Sequence, residues 1–438
     1  MSLRAGTGVR DISPRQPMFL VGYPHVPRIS EGIHDPLLAS ALFLDDGKIA
    51  VLFVAVDTLF VTRESVLYCR QAIAQACRVS PAHILISATH THSAPVTASM
   101  LAWRDDPVVP APDPAYLDQF HQGIIGAAIE ACKSACAAGL AVTTTKISGV
   151  GSNRVAPDAA FDPEAGILAV RSEQRLVAVQ VIYGMHPTVL HQDSRLVSSD
   201  FPFFVRQVLR EVFPDLTTLY HNGPSGNLSP RYHVRGQTFA EAERLGRRLG
   251  RNVISALHRL QGEDFCSDIC LAAATGRAEL TPNHFATVPE AQEKLREAKQ
   301  TFERLGREGA SHGPLRTAEC VCFGCEEGLT LAKAQASGKT TQLQEQYRLA
   351  EVQVFRIGDV FLVGLPGEQF VEYGLEIKGR APAKTFVVSL ANGELQGYIV
   401  TPEARCGMSY EAAFALFAAE SGQALVHTAL ELIEELRL

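Results

Sequence analysis

The apolar run Ile84-Leu85-Ile86 leads, through Ser87, into Ala88-Thr89-His90-Thr91-His92-Ser93-Ala94-Pro95. A chain with that segment must end a buried strand on two imidazoles. Alternate side chains of a strand share a face, so the spacing predicts His90 and His92 side by side at the strand's end. Each ring needs hydrogen-bond partners there, which makes the pair costly as simple packing. It suits a metal ligand with a neighbouring polariser. Hydrogen-bonded core or surface histidines also adopt this spacing, and the motif alone does not separate the two.

The same pattern recurs. Tyr183-Gly184-Met185-His186-Pro187-Thr188 ends a second apolar strand on a histidine, and Val363-Gly364-Leu365-Pro366-Gly367-Glu368 ends a third on a carboxylate. Glu368 is expected to open a helix, where a glutamate also suits the macrodipole. Asn392, Gly397 and Tyr398 follow a further strand. Polar groups of metal-binding type therefore gather at strand exits, where α/β sheets place their sites. A His-His-Glu set suits zinc with an open position for water. The loop from Tyr220 to Pro230 lacks both the lysine of a phosphate-binding loop and the G-x-S-x-G of a hydrolase elbow. It reads as an active-site lining or as a tight turn. Asp200 reads as a helix N-cap or as a carboxylate orienting a ligand histidine.

Apolar periodicity predicts strands over 49–56, 84–88, 142–147, 176–183, 269–280, 348–357, 360–365 and 385–390. Helices are expected over 62–78, from Asp113-Pro114 to about 138, from Asp200 onward, and over 238–260, 289–307, 329–347 and most of 410–436. Helices distributed among buried strands imply an α/β class of layered mixed β-sheets flanked by helices. No sequence repeat or linker divides the chain. It reads as one domain, 1–438, with a polar helical insertion at about 283–346 whose charges equally fit a solvated face.

A net charge of −7 and a pI near 6.1, with no long basic stretch, exclude a general nucleic-acid binder. No run reaches the roughly 18 apolar residues of a membrane span. The first residues carry no apolar signal region, which implies a cytoplasmic location, or secretion had a signal been removed upstream. Ten cysteines, Cys406 among them, show no disulfide framework. Cys132 and Cys136 read as small core residues of one helix. Cys320, Cys322 and Cys325 lack the completing pair of a structural zinc site and read as reduced thiols.

Taken in order, these segments resemble the neutral/alkaline non-lysosomal ceramidases. The resemblance runs through Gly22-Tyr23, Gly32-Ile33-His34, Asp57, His90-Thr91-His92-Ser93, Asn153-Arg154, His186-Pro187, Ser199-Asp200, Gly226 to Pro230, Pro366-Gly367-Glu368, Gly397-Tyr398 and Tyr410-Glu411. It implies a ceramidase-like catalytic domain, expected here without the family's C-terminal immunoglobulin-like domain. It implies one Zn2+ held by His90, His186, Glu368 and Tyr398, with His92, Arg154 and Tyr410 facing the substrate carbonyl. Asp57, Asp200, Asn227 and Ser229 would support the site. Ser229 matches a serine considered as a nucleophile in the family, but metal-activated water is the favoured chemistry and Ser229 the favoured loop residue. Two departures stand out: Ala94 replaces the usual glycine after His-Thr-His-Ser, and Asn227 replaces the usual aspartate before Ser229. The implied reaction is hydrolysis of a linear amide of a small molecule, an N-acylated lipid being one candidate. An ester, lactone or sugar-linked substrate, or a catalytically silent binding protein, are the alternatives.

Overall fold

Strand Ala50–Val56 is apolar at nearly every position, and its two faces enter different cores. Val51, Phe53 and Ala55 join a cluster shared by all three main sheets, while Leu52, Val54 and Val56 join a second cluster beneath helices. Leu349–Ile357 divides likewise, Phe355 and Ile357 against Val352 and Val354. So does Arg175–Tyr183, with Ala178 and Ile182 against Val179, Val181 and Tyr183. This period-two partition means that each sheet turns one face to a common centre and the other to helices. Phe53 and Phe355 meet at that centre, with ring centroids 4.9 Å apart. These observations come from a computed structural model that describes residues 2–437 except 24–25, 105, 157 and 406–408; Cys406 therefore lies outside the described residues.

Although the sequence carries no repeat, the topology does. Arg4–Asp11, Leu38–Asp45 and Ala50–Val56 are successively antiparallel; helix Arg63–Cys77 then crosses over to Ile84–Ala88, parallel to Ala50–Val56. Gly139–Lys146, Glu164–Ser172 and Arg175–Tyr183 repeat this, with helix Phe201–Val212 leading to the parallel strand Thr217–Asn222. Leu271–Glu279, Leu349–Ile357 and Val360–Gly364 repeat it again, with helix Val371–Arg380 leading to Thr385–Val388. Each unit closes with a long helix: Pro114–Lys133, Phe239–Leu257 or Glu420–Arg437. In the third unit a helical excursion interrupts the first two strands: Val288–Arg307, His312–Ala336 and Lys339–Tyr347.

Local signals set several boundaries. Thr62 caps its helix by accepting from Ser65 N, and Asp113 caps the next by accepting from Tyr116 N, with Pro114 behind it. Other expectations need correction. The second of these helices stops at Lys133, so Cys136 is exposed on a two-residue edge strand and not in the helix with Cys132. The helix expected from 329 begins at His312 and ends at Ala336, before a separate helix. The stretch over 410–436 breaks between Tyr410–Ala413 and Glu420–Arg437. Strands Arg4–Asp11, Leu38–Asp45 and Glu164–Ser172 were not among those expected. The nine described cysteines are free thiols. Among the described residues no helix is long and apolar enough to cross a membrane.

The first two units are tied by a buried ion pair. Asp57, just past Val56, accepts two bonds from Arg206 of helix Phe201–Val212, at 3.0 and 2.6 Å. It also accepts from Thr89 Oγ1 at 3.1 Å and Leu38 N at 2.9 Å, which fixes the turn that carries His90. Arg206→Met would strand this carboxylate. A loss of about 3–5 kcal/mol in urea unfolding is predicted, and a loss below about 1 kcal/mol would contradict the role given to the pair.

Candidate metal centre

The exits of the paired parallel strands converge at one end of the three units. Strand Ile84–Ala88 stops two residues before His90, which adopts φ 71°. The two histidines are thus not aligned by strand alternation, as the spacing predicts, but by a turn in the left-handed region that a non-glycine residue adopts only when its surroundings enforce it. His186 leaves the end of Arg175–Tyr183, and Glu368 follows Val360–Gly364. Glu368 does not open a helix. It pairs with Tyr398 in a short parallel bridge, and the helix starts at Val371.

His90 Nε2 lies 3.1 Å from His186 Nε2; Glu368 Oε2 lies 3.0 Å from the first and 3.1 Å from the second. His90 Nδ1 contacts Leu59 O at 2.9 Å, and His186 Nδ1 contacts Ser225 O at 2.7 Å. A carbonyl only accepts, so each ring's proton sits on Nδ1 and each Nε2 presents a lone pair. Burial, then the charge of Arg154, holds His186 down to about 3, so it is neutral. Three acceptors therefore face one point with no proton between them. The donor chemistry and spacing fit a small divalent cation bound at about 2.0–2.2 Å.

His92 Nδ1 contacts Gly22 O at 2.9 Å, and its Nε2 is buried with no partner among the described residues. A Cβ on Gly22, at φ 114°, would lie 2.5 Å from the His92 ring, so glycine is required there. Arg28, fully buried, donates to the carbonyls of His92, His191 and Val21 and so holds the main chain behind His92. His90, His92 and His186 each offer one ring nitrogen to a wider set, all within 4.8 Å of one another. The His90–His186–Glu368 triangle is the tighter donor set.

Tyr398 Oη accepts from Arg154 Nη2 at 3.1 Å, and Arg154 is fixed by Glu411 at 2.7 Å and Gly226 O at 2.8 Å. Burial, then the Glu368 charge, pushes the Tyr398 phenol well above its ordinary range; burial and Glu327 do the same to Tyr410. His92, Arg154, Ser229, Tyr398 and Tyr410 line one pocket. Of the remaining expected residues, Asp200 makes no hydrogen bond to a histidine among the described residues. It caps its helix at Phe201 N and accepts from Leu190 N. Asn227 clamps the glycine loop onto helix Val371–Arg380 through Glu372 at 2.9 Å and Val371 N at 2.9 Å. Gly226 lets that loop approach the ligand strand, since a Cβ there would stand 3.0 Å from Glu368 O. Ser229 Oγ accepts from Arg231 N at 3.3 Å.

Sequence reasoning missed Glu327. It is fully buried on helix His312–Ala336 and accepts from Trp103 Nε1 at 2.9 Å and Tyr410 Oη at 3.4 Å. Nothing in the local charge pattern marks it, because its partners come from residues 103 and 410. Burial pushes its carboxyl up from 4.5 to about 8, against those two hydrogen bonds. The folded protein then holds a proton that the unfolded chain releases between these values. The stability it contributes is present below about pH 4.5 and is lost as pH rises toward 8. Glu327→Gln should thus match the wild type near pH 4.5 and gain in relative Tm as pH rises to about 8.5. A Tm difference that is flat across this range would rule the assignment out.

Residues 3–202 match the model of the neutral/alkaline non-lysosomal ceramidases, N-terminal region. That span contains His90, His92, Arg154 and His186; Glu368, Tyr398 and Tyr410 lie beyond it. A ceramidase solved in complex with C2 superposes with a TM-score of 0.76 at 16% identity, covering 100% of this chain and 75% of that one. A neutral ceramidase from Pseudomonas aeruginosa gives 0.75 at 17% identity, covering 99% and 75%. Comparison with curated protein sequences found no match. Family match and fold together support a hydrolase of an amide bond. Over residues 3–202 the chain is similar to the N-terminal region of the neutral/alkaline non-lysosomal ceramidases, and its whole length takes the ceramidase fold.

Proposed function

We propose that this protein is a zinc-dependent hydrolase of linear N-acyl amides. The observation that carries the reading is the triangle of His90 Nε2, His186 Nε2 and Glu368 Oε2, three acceptors 3.0–3.1 Å apart with both imidazole protons spent on carbonyls. These three residues would hold the ion, with Tyr398 as fourth donor and Arg154 steadying its oxygen. A bound zinc supplies Lewis acidity, lowering the pKa of a coordinated water to about 7 and polarising the amide carbonyl.

The chain's own groups divide the remaining work. His92 is kept neutral, well below its ordinary range, by burial and by His90 and His186. With Nδ1–H given to Gly22 O, its Nε2 is an acceptor. It is therefore poorly suited to stabilising an oxyanion, and well suited to taking a proton from the attacking water and returning it to the leaving nitrogen. Arg154 and the protonated phenol of Tyr410, turned from its long 3.4 Å contact with Glu327, supply the donors for the developing oxyanion. The C–N bond breaks, a C–O bond forms, and water is divided between the carboxylic acid and the amine. Ser229 serves as loop structure.

Protein purified without added metal should hold about one zinc per chain and hydrolyse N-acyl amides. His186→Ala should lose both metal and rate, and full metal retention by that variant would remove His186 from the centre. Tyr410→Phe should keep the metal and lower kcat by about 10²–10³ with little change in KM. An unchanged kcat would exclude Tyr410 from the chemistry.

A further inference from the structure

The chain carries a net charge of −7, yet the catalytic pocket has the opposite character. Its lining includes Arg154, Arg231, Arg316, His92, His191 and His312, with no aspartate or glutamate among the described lining residues. Glu411 balances Arg154, and Glu319 balances Arg316 at 2.5 Å. Among the described residues no carboxylate pairs with Arg231, whose guanidinium contacts Arg154 O at 3.3 Å, Thr317 Oγ1 at 3.1 Å and Cys320 Sγ at 3.2 Å. Nor does any pair with Arg28, which lies 4.9 Å over the Tyr23 ring and, among the described residues, donates to the carbonyls of His191, Val21 and His92. Arg28 is fully buried and Arg231 half-buried, and guanidinium charge withdrawn from water without a counter-charge is costly. His191 reports the same field: burial, then Arg316, His312, Arg231 and Arg28, hold it well below its ordinary range.

The positive wall has a definite place relative to the chemistry. His92 meets Tyr23 at 5.3 Å between rings, and Tyr23 in turn meets His191 at 5.2 Å and carries Arg316 at 5.7 Å. The cationic side therefore adjoins the residue that serves the leaving nitrogen. Part of this wall comes from the helical excursion of the third unit. His312, Arg316, Cys320 and Phe323 of helix His312–Ala336 fall on one stripe and line the pocket. Arg231 reaches the same helix at Thr317 and Cys320.

We propose that the amide cleaved here carries an anionic oxygen group on its amine half, seated against Arg231 and Arg316. This rests on the hydrolase reading above and narrows its substrate class to N-acyl conjugates of amino acids or aminosulfonates. An uncharged sphingoid amide would leave the wall without its counter-charge.

The test uses three amides with one acyl chain on the zinc-loaded protein: N-dodecanoylglycine, N-dodecanoyltaurine and N-dodecanoylethanolamine. At least one anionic conjugate should exceed the neutral amide in kcat/KM by about tenfold or more, and the two anions tell carboxylate from sulfonate. The preference should narrow as salt is raised from about 20 to 200 mM. It should collapse toward unity in Arg231→Gln/Arg316→Gln, through KM and not kcat. The salt series on the wild type decides if that variant does not fold. Equal or better turnover of the ethanolamide would overturn the proposal and leave the hydrolase reading standing. Should no amide be turned over, the hydrolase reading fails. Calorimetric binding of the same three compounds then decides: tighter, salt-sensitive binding of the anions supports the anion seat, and equal binding refutes it.

Discussion

Three lone pairs aimed at one point organise the functional end of this molecule. Two imidazole Nε2 lone pairs and a carboxylate oxygen within 3.1 Å of one another repel unless a cation lies between them. Their orientation is not left to the side chains. Leu59 O and Ser225 O each hold one Nδ1–H, so main-chain position in two loops sets both ring planes. Those loops are fixed in turn. Asp57 and Arg206 secure Thr89 beside His90, and Gly226 N donates to Gln369 O beside Glu368. The centre is preorganised by backbone, which explains the closeness of glycines and the left-handed φ of His90 around it.

The topology explains how ligands so distant in sequence meet. Each of three units places a parallel strand pair at its crossover, and loops from the ends of those pairs supply the site. The first gives Asp57, His90 and His92, the second His186 and the glycine loop, the third Glu368 and Tyr398. Main-chain bonds between units close this end: Ala88 N to Leu390 O, Asn392 N to Ile86 O and Ser389 N to Asn222 O. Asn392 adds Oδ1 to Ile86 N and Nδ2 to Gln353 Oε1. The interruption in the third unit lies against the pocket, where it contributes a wall and the buried Glu327.

Much of this was legible in the residues, for identifiable reasons. Strands buried on both faces, such as Ile84–Ala88, read as continuous apolar runs, and a polar residue following them stands out. Arg4–Asp11, with Gly6, Gly8 and charged ends, gives no such signal and gains its place from pairing with Leu38–Asp45. The metal-type residues could be picked out, but their grouping through Tyr398 and Tyr410 needed the family resemblance. Charge-bearing residues were the least legible. Arg316 and Glu327 sit in a helix whose sequence resembles a solvated face, and only tertiary packing shows that both are buried. The N-cap role of Asp200 was equally open until Leu190 and Phe201 were seen to take its oxygens.

The most direct test is anomalous diffraction at the zinc edge from crystals of the protein purified without added metal. The account predicts a single strong peak in contact with His90 Nε2, His186 Nε2 and Glu368 Oε2, with His92 Nε2 outside bonding distance. A peak bonded to His92 in place of Glu368, or no peak after zinc is supplied, would contradict it.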